Sequence, residues 1–268
     1  MAKKKQLIVP VFIPFGGCRE RCVFCDQKGI AGVRAMPSVE EVTQQVRRYL
    51  GTWKGSGRRE VAFYGGSFTG LGGKQQEAYL ACVQPFIASG SMDGIRVSTR
   101  PDYISEDGLR LLKRYGVETV ELGVQSMDDE VLRLSGRGHT AADTVRAVGL
   151  LKKGGFRVGV QVMPGLPGDT ADTVLRTAEA LVGLEPGFAR IYPTLVLQET
   201  ELYRMWREGR YTPWGLEEMT RVVAGVYDLF TSSGVPVIRV GLQPTRELEE
   251  NLAAGPYHRS MRQLLERR

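Results

Sequence analysis

Three of the four cysteines of this chain fall within eight residues, Cys18-Arg19-Glu20-Arg21-Cys22-Val23-Phe24-Cys25, separated by three residues and then by two. Thiols packed so closely point to a metal or a cluster, because a disulfide scaffold needs paired and dispersed cysteines. A structural zinc site asks for four ligands. Only two histidines are present, His139 and His258, both distant in sequence. Electron-transfer clusters as a rule also take four cysteines. Three thiolates on a four-iron cluster leave one iron with an open position, and an open position is what a catalytic metal needs to hold a substrate. The fourth cysteine, Cys82, sits in a helical pattern with Tyr79, Val83 and Phe86. It reads as a small core hydrophobe and not as a fourth ligand.

Further candidates gather at the ends of β-rich runs. In Tyr64-Gly65-Gly66-Ser67-Phe68-Thr69-Gly70, paired glycines let a ligand approach the backbone, although glycine also ends strands for turn geometry alone. In Ser98-Thr99-Arg100-Pro101-Asp102, Ser98 and Arg100 have the chemistry to address ribose hydroxyls or a carboxylate, Arg100 through a charge-assisted fork. The competing reading is that Arg100 and Asp102 only organise the turn before a helix. Gln125, near the end of Glu121–Ser126, would aim its amide at the same cavity. The run from Gln161 through Met163 and Gly165 to Gly168 places two prolines and two glycines close together. That backbone constraint suits the reading of adenine edges. His139 reads as a structural histidine bonding a helix start, and Tyr192 and Tyr203 face either substrate or core.

Positioning these groups requires strands that all end on one side. Seven short runs rich in β-branched and aromatic residues fit: Leu7–Ile13, Glu60–Tyr64, Ile95–Thr99, Thr119–Val124, Val158–Val162, Phe188–Tyr192 and Val235–Val240. Helical patterns alternate with them. Ser38 with Glu41 forms a capping box, and Thr140 with Asp143 forms a looser one. Gly154 and Gly155 close the helix that follows Thr140. Repeated strand–helix–strand units predict an α/β fold, a parallel sheet with helices outside in a partial, TIM-like (β/α)6-type barrel. Its chemistry then belongs at the carboxyl ends of the strands, where the cysteine loop opens. The pattern changes after Gly241. Residues 1–245 are expected to form the core domain, and 246–268 a short helical C-terminal tail.

No stretch approaches the roughly 18 apolar residues that span a bilayer. Lys3, Lys4 and Lys5 before Leu7–Ile13 imitate a secretory signal, but Pro10 and Pro14 interrupt the run and Cys22 and Cys25 follow Cys18 at once. The segment reads as a strand and the protein as cytoplasmic, with reduced thiols and no membrane partner. Lysine and arginine total 36 against 30 acidic residues, a net charge of +6. With basic residues at both ends (Lys3 to Lys5; Arg259, Arg262, Arg267, Arg268), that charge permits an RNA partner.

The cysteine spacing, with an aromatic residue before the last thiol, resembles the radical S-adenosylmethionine superfamily. The resemblance implies a [4Fe–4S] cluster on Cys18, Cys22 and Cys25 whose open iron chelates S-adenosyl-L-methionine. One electron then breaks the sulfonium bond, and a 5′-deoxyadenosyl radical abstracts hydrogen from substrate. It further implies Phe24 near the adenosyl group and the backbone of Gly65, Gly66 and Ser67 at the methionine amino group, Ser67 replacing an acidic residue usual there. Ser98–Tyr103, Glu121–Ser126, Arg137-Gly138-His139-Thr140, Met163–Gly168 and Ile191–Val196 together resemble the radical domain of the Elongator catalytic subunit over about Leu7 to Val240. Two features depart from that group: the gap between the first two cysteines is compact, and the chain ends about where an acetyltransferase domain would begin. The resemblance implies a transfer-RNA nucleoside as substrate and an external electron donor of flavodoxin or ferredoxin type. The oxygen-independent coproporphyrinogen oxidases share the compact spacing and are the enzymatic alternative. A non-catalytic iron–sulfur or RNA-binding module is the alternative of another class.

Overall fold

The computed structural model describes residues 6–27 and 35–265. Lys3, Lys4, Lys5, Arg267 and Arg268 therefore lie outside the described residues. Seven parallel strands make one sheet: β1 (Leu7–Ile13), β2 (Arg59–Gly65), β3 (Gly94–Thr99), β4 (Val117–Gln125), β5 (Arg157–Val162), β6 (Phe188–Ile191) and β8 (Val237–Val240), hydrogen-bonded in that order. The expected strands are all present, with ends displaced by no more than two residues. The sheet curls into the half-barrel expected for the fold class, with a seventh strand at its edge. β1 is the other edge strand, which is why Pro10 is tolerated within it.

Helices return the chain between strands: α1 (Val39–Thr52), α2 (Gly73–Ala88), α3 (Glu106–Arg114), α4 (Asp129–Leu134), α5 (Ala141–Lys153), α6 (Ala171–Gly183), α7 (Glu201–Arg207) and α8 (Leu216–Ser232). Ser38 and Glu41 form the expected box on α1, and Thr140 and Asp143 form a complete one on α5 despite the shorter carboxylate. α5 ends at Gly154, and Gly155 turns the chain with a φ of +69°.

The strand face turned to these helices is apolar and buried: Val9, Val11, Val61, Phe63, Ile95, Val97, Val120 and Leu122. Phe63 packs on Phe68 and Tyr79 at ring-centroid distances of 5.0 and 5.7 Å. Each fully buried ring stabilises the fold by about 1.5–3 kcal/mol. The opposite face of the same strands carries Glu60 and Tyr64 on β2, Arg96 on β3, Glu121 on β4 and Arg190 on β6, so the half-barrel is lined with charge.

After β8 the chain carries α9 (Arg246–Asn251), a short strand β9 (Leu252–Ala254) and α10 (Met261–Leu265). Within 246–265 there are thus two short helices with a strand between. β9 pairs antiparallel with β7 (Val196–Leu197), and Val196 heads a small separate apolar cluster with Leu202 and Tyr211. No helix among the described residues is long and apolar enough to cross a membrane.

Candidate functional site

The cysteine loop leaves the carboxyl end of β1 and is held from five directions. The Cys18 thiol lies 3.5 Å from Ser67 Oγ after β2. The Arg19 amide donates to Tyr103 Oη after β3 at 3.2 Å. The Val23 amide donates to the Ser135 carbonyl, 3.1 Å, after α4. The Val23 carbonyl accepts from the Leu202 amide at 2.7 Å. Beyond Cys25, Asp26 accepts from the Asn251 side chain on α9. These contacts set an otherwise irregular loop at the mouth of the half-barrel, where parallel sheets present their reactive groups.

The glycine-rich turn plays a packing part that its sequence conceals. A side chain at Gly66 would collide with the Gly16 carbonyl, so this glycine lets the cysteine loop lie against the end of β2. Gly65 has a φ of +97° and faces the Phe12 ring. Ser67, with 2% of its surface exposed, donates its amide to Gly16 and keeps its hydroxyl on Cys18. Phe24 packs against the cluster of Val196, Leu202 and Tyr211, which fastens the third cysteine to the C-terminal part of the chain.

Burial and the neighbouring thiols Cys22 and Cys18 push the Cys25 thiol up to about 12. Only a strong Lewis acid holds such a group as thiolate near neutral pH. Among the described residues no three His, Cys, Asp or Glu side chains are gathered for one ion. Cys25 interacts electrostatically with Cys22 and Cys18, so the three thiols are neighbours, and soft thiolates are the donor set that iron–sulfur chemistry uses. Cys82 lies apart on α2, where its thiol donates to the Tyr79 carbonyl at 3.1 Å.

Buried donors without partners surround the same loop. Arg100 grips Asp102 through two bonds of 3.0 and 2.9 Å, as the turn-organising reading expected, yet its Nη1 is buried and unpaired. Arg137 Nη1 lies 3.1 Å from Cys22 Sγ and its Nη2 donates to the Gly123 carbonyl, while Nε has no acceptor. His139 is 4% exposed and neither ring nitrogen is hydrogen-bonded. It does not bond the start of α5, which Thr140, Asp143 and Asp129 serve instead. Burial first, then the Arg137 charge, lowers its pKa to about 3, so the ring is neutral. A buried donor without an acceptor costs about 1–3 kcal/mol, and several at one mouth suit an occupant rich in acceptor atoms.

The other expected residues line the adjoining strand ends. Ser98 is half-buried on the face it shares with Arg96. Gln125 closes β4 at a register irregularity with a φ of +72°, rare for a side-chain-bearing residue and characteristic of strained functional positions. Its Oε1 accepts from Gln161 Nε2 at 3.1 Å, and its carbonyl accepts from the Met163 amide at 2.9 Å. Gly165 (φ +85°) is clamped from both sides. Asp169 Oδ2 accepts from the amides of Gly165 and Leu166 at 3.1 Å, and Tyr211 Oη donates to the Gly165 carbonyl at 2.6 Å. Burial pushes Asp169 up to about 6. Tyr203 lies tilted against Trp206, ring centroids 5.8 Å apart, both packed on the Val196, Leu202 and Tyr211 cluster, whereas Tyr192 Oη meets Arg190 Nη1 at 3.3 Å inside the barrel.

The sequence reading gave Arg137 and Tyr211 no role of their own, although both lie in segments that carry the family resemblance, and it passed over Asp169 and the barrel charges. A charged residue within each of the apolar runs around Glu60, Arg96, Glu121 and Arg190 was the available signal. Nothing local pairs Tyr211 with Gly165, which it reaches across 46 residues.

Comparison with known proteins follows the same lines. Residues 12–181 match the model of the Radical SAM superfamily, and residues 186–268 match that of the Radical_SAM C-terminal domain. The chain is 39% identical over 131 residues to the tRNA uridine(34) acetyltransferase of Methanocaldococcus infernus, covering 48% of this chain and 24% of that protein. It is 34% identical over 142 residues to Elongator complex protein 3 of Mus musculus, covering 51% and 25%. The matched region therefore spans about a quarter of the length of these curated relatives. Among solved structures, the archaeal Methanocaldococcus infernus Elp3 superposes with a TM-score of 0.77 at 23% identity, over 98% of this chain and 62% of that one.

Proposed function

The chain belongs to the Radical SAM superfamily, and from that membership we propose a radical enzyme of the Elongator type that acts on a transfer-RNA nucleoside. The observation that carries the reading is the docked Cys18–Cys25 loop, three thiols at the mouth of the half-barrel ringed by unpartnered buried donors. The relatives supply the substrate class: those matched are named for tRNA uridine(34) and for Elongator.

The cofactors are those of the superfamily, a [4Fe–4S] cluster and S-adenosylmethionine. Together they supply hydrogen-atom abstraction after one-electron cleavage of the sulfonium bond. The chain's own residues hold, orient and enclose. Cys18, Cys22 and Cys25 would hold the cluster, and Ser67 braces the first of these thiols. The turn from Gly65 to Ser67 and the unpaired Nη1 of Arg100 would address the amino acid end. Gln125, Gln161, Met163 and Gly165 form the rim for the adenosyl end, kept in register by Asp169 and Tyr211. Arg19 and Arg21, both exposed on the cysteine loop, set positive charge where an RNA backbone would approach. The electron comes from an external flavodoxin- or ferredoxin-type donor in the reducing cytoplasm. Residues 1–245 act as the catalytic core, and 246–268 form a tail that steadies the loop through Asn251.

The test is anaerobic reconstitution with iron and sulfide, then dithionite and S-adenosylmethionine. Release of 5′-deoxyadenosine is expected; a fully loaded cluster that releases none sinks the enzymatic reading. Mobility shift of bulk transfer RNA at two salt concentrations tests the partner, and no binding at low salt removes it. Nucleoside mass spectrometry of transfer RNA from a deletion strain then identifies the modified base.

A further inference from the structure

Arg137 is 5% exposed and lies in the Arg137-Gly138-His139-Thr140 segment after α4. Equally buried arginines in this chain are matched by carboxylates: Arg96 by Glu60 and Glu121, and Arg100 by Asp102. Among the described residues no carboxylate lies within ion-pair distance of Arg137. Its fork is spent on the Gly123 carbonyl and on Cys22 Sγ, at 3.1 Å. Gly123 sits in the middle of the sheet, so this guanidinium is anchored to β4 and pointed at one sulfur. A buried cation without a counter-charge is costly, and the missing anion is the Cys22 thiolate of the loaded protein.

We infer that Arg137 sets the reduction potential of the cluster by hydrogen-bonding the Cys22 ligand sulfur. The inference rests on the cluster reading above. When the cluster takes one electron from its donor it gains one negative charge. A fixed cation and an N–H on a ligand sulfur stabilise the electron-rich state more than the oxidised one, which raises the potential. Arg137 is a positioning and tuning residue on this account, and no bond to substrate is required of it.

The experiment is a redox titration of reconstituted protein without S-adenosylmethionine, followed by electron paramagnetic resonance of the reduced cluster. Wild type is compared with Arg137→Gln and Arg137→Met. At the wild-type midpoint, both variants are expected to show about a tenfold lower ratio of reduced to oxidised cluster, ~59 mV for a one-electron couple. A fully loaded variant with the wild-type midpoint overturns the assignment. Should neither variant hold a cluster, wild type grown with guanidino-¹⁵N-arginine decides. A ¹⁵N coupling to the reduced cluster supports the contact, and its absence overturns it. Wild type that takes up no iron–sulfur cluster at all contradicts the parent reading instead, so the two failures are distinguishable.

Discussion

The half-barrel carries two sets of buried charge, and they are organised in opposite ways. Toward its floor, Arg96 bonds Glu60 and Glu121, and Arg190 bonds Glu121 at 2.6 Å and Tyr64 Oη at 3.2 Å. Two carboxylates face two buried guanidinium groups there, with the partly exposed Arg58 also on Glu60, and Arg96 Nε alone of the two buried groups' nitrogens lacks a partner. At the mouth, Arg100 Nη1, Arg137 Nε and both nitrogens of His139 lack partners, and Arg137 faces a sulfur in place of a carboxylate. A set that is neutral within itself holds strands together; a set that is unbalanced is waiting for a ligand. Both are buried to a similar degree, so burial does not distinguish them. The counting of partners does.

That contrast can be broken at either end. The largest effect is expected at the mouth, where Cys22→Ala should reduce cluster content and 5′-deoxyadenosine release to background. Urea unfolding of the same apo variant should move by less than ~1 kcal/mol, since Cys22 is only half-buried. The floor should show the reverse. Glu121→Gln strands buried Arg190 and leaves Arg96 with Glu60 alone, and should cost about 3–5 kcal/mol in urea unfolding of the apo protein. If instead Glu121→Gln leaves stability unchanged, the floor is not a structural pair network.

Between the two lies Asp169. Its folded-state pKa of about 6 stands above the usual carboxylate value of 3.8, so the folded protein holds that proton more tightly than the unfolded chain. Its contribution to stability is therefore full below about pH 4, declines as pH rises to about 6, and is constant beyond, a total of about 3 kcal/mol. Asp169→Asn should remove that slope from unfolding free energies measured between pH 4 and 7. His139, lowered to about 3 from 6.5, contributes with the opposite sign. Its share is present above pH 6.5 and is lost as pH falls, so the wild-type profile mixes the two. The smallest effect belongs to Tyr211→Phe, which deletes one buried hydrogen bond to Gly165 worth about 1 kcal/mol. Calorimetry should show S-adenosylmethionine binding weakened by roughly fivefold with the cluster content unchanged.

Much of the fold was legible because its signals are local. Apolar β-branched runs located all seven strands of the sheet, and the boxes at Ser38 and Thr140 located two helix starts. The cysteine loop was legible for the same reason, since all three thiols lie within eight consecutive residues. Gly66 was read as room for a ligand, and the structure adds a packing demand from the Gly16 backbone that the spacing did not reveal. His139 was read as bonding a helix start, yet its neighbours took that work. Such gaps arise where a residue's partner is distant in sequence, because spacing carries no information about what arrives from elsewhere.

Residue order by itself determined that three thiols share one loop, that strands and helices alternate, and that the strand ends carry Gly65–Ser67, Gln125 and Gly165. Those properties need only covalent proximity and the periodicity of side chains along a strand or helix. Tertiary structure alone decided which charges are matched: it brought Glu121 to Arg96 and Arg190, Tyr211 to Gly165, Asn251 to Asp26, and Arg137 to Cys22 across 115 residues. Electrostatic energy depends on separation in space and on exclusion of water, and neither quantity exists until the chain has closed on itself.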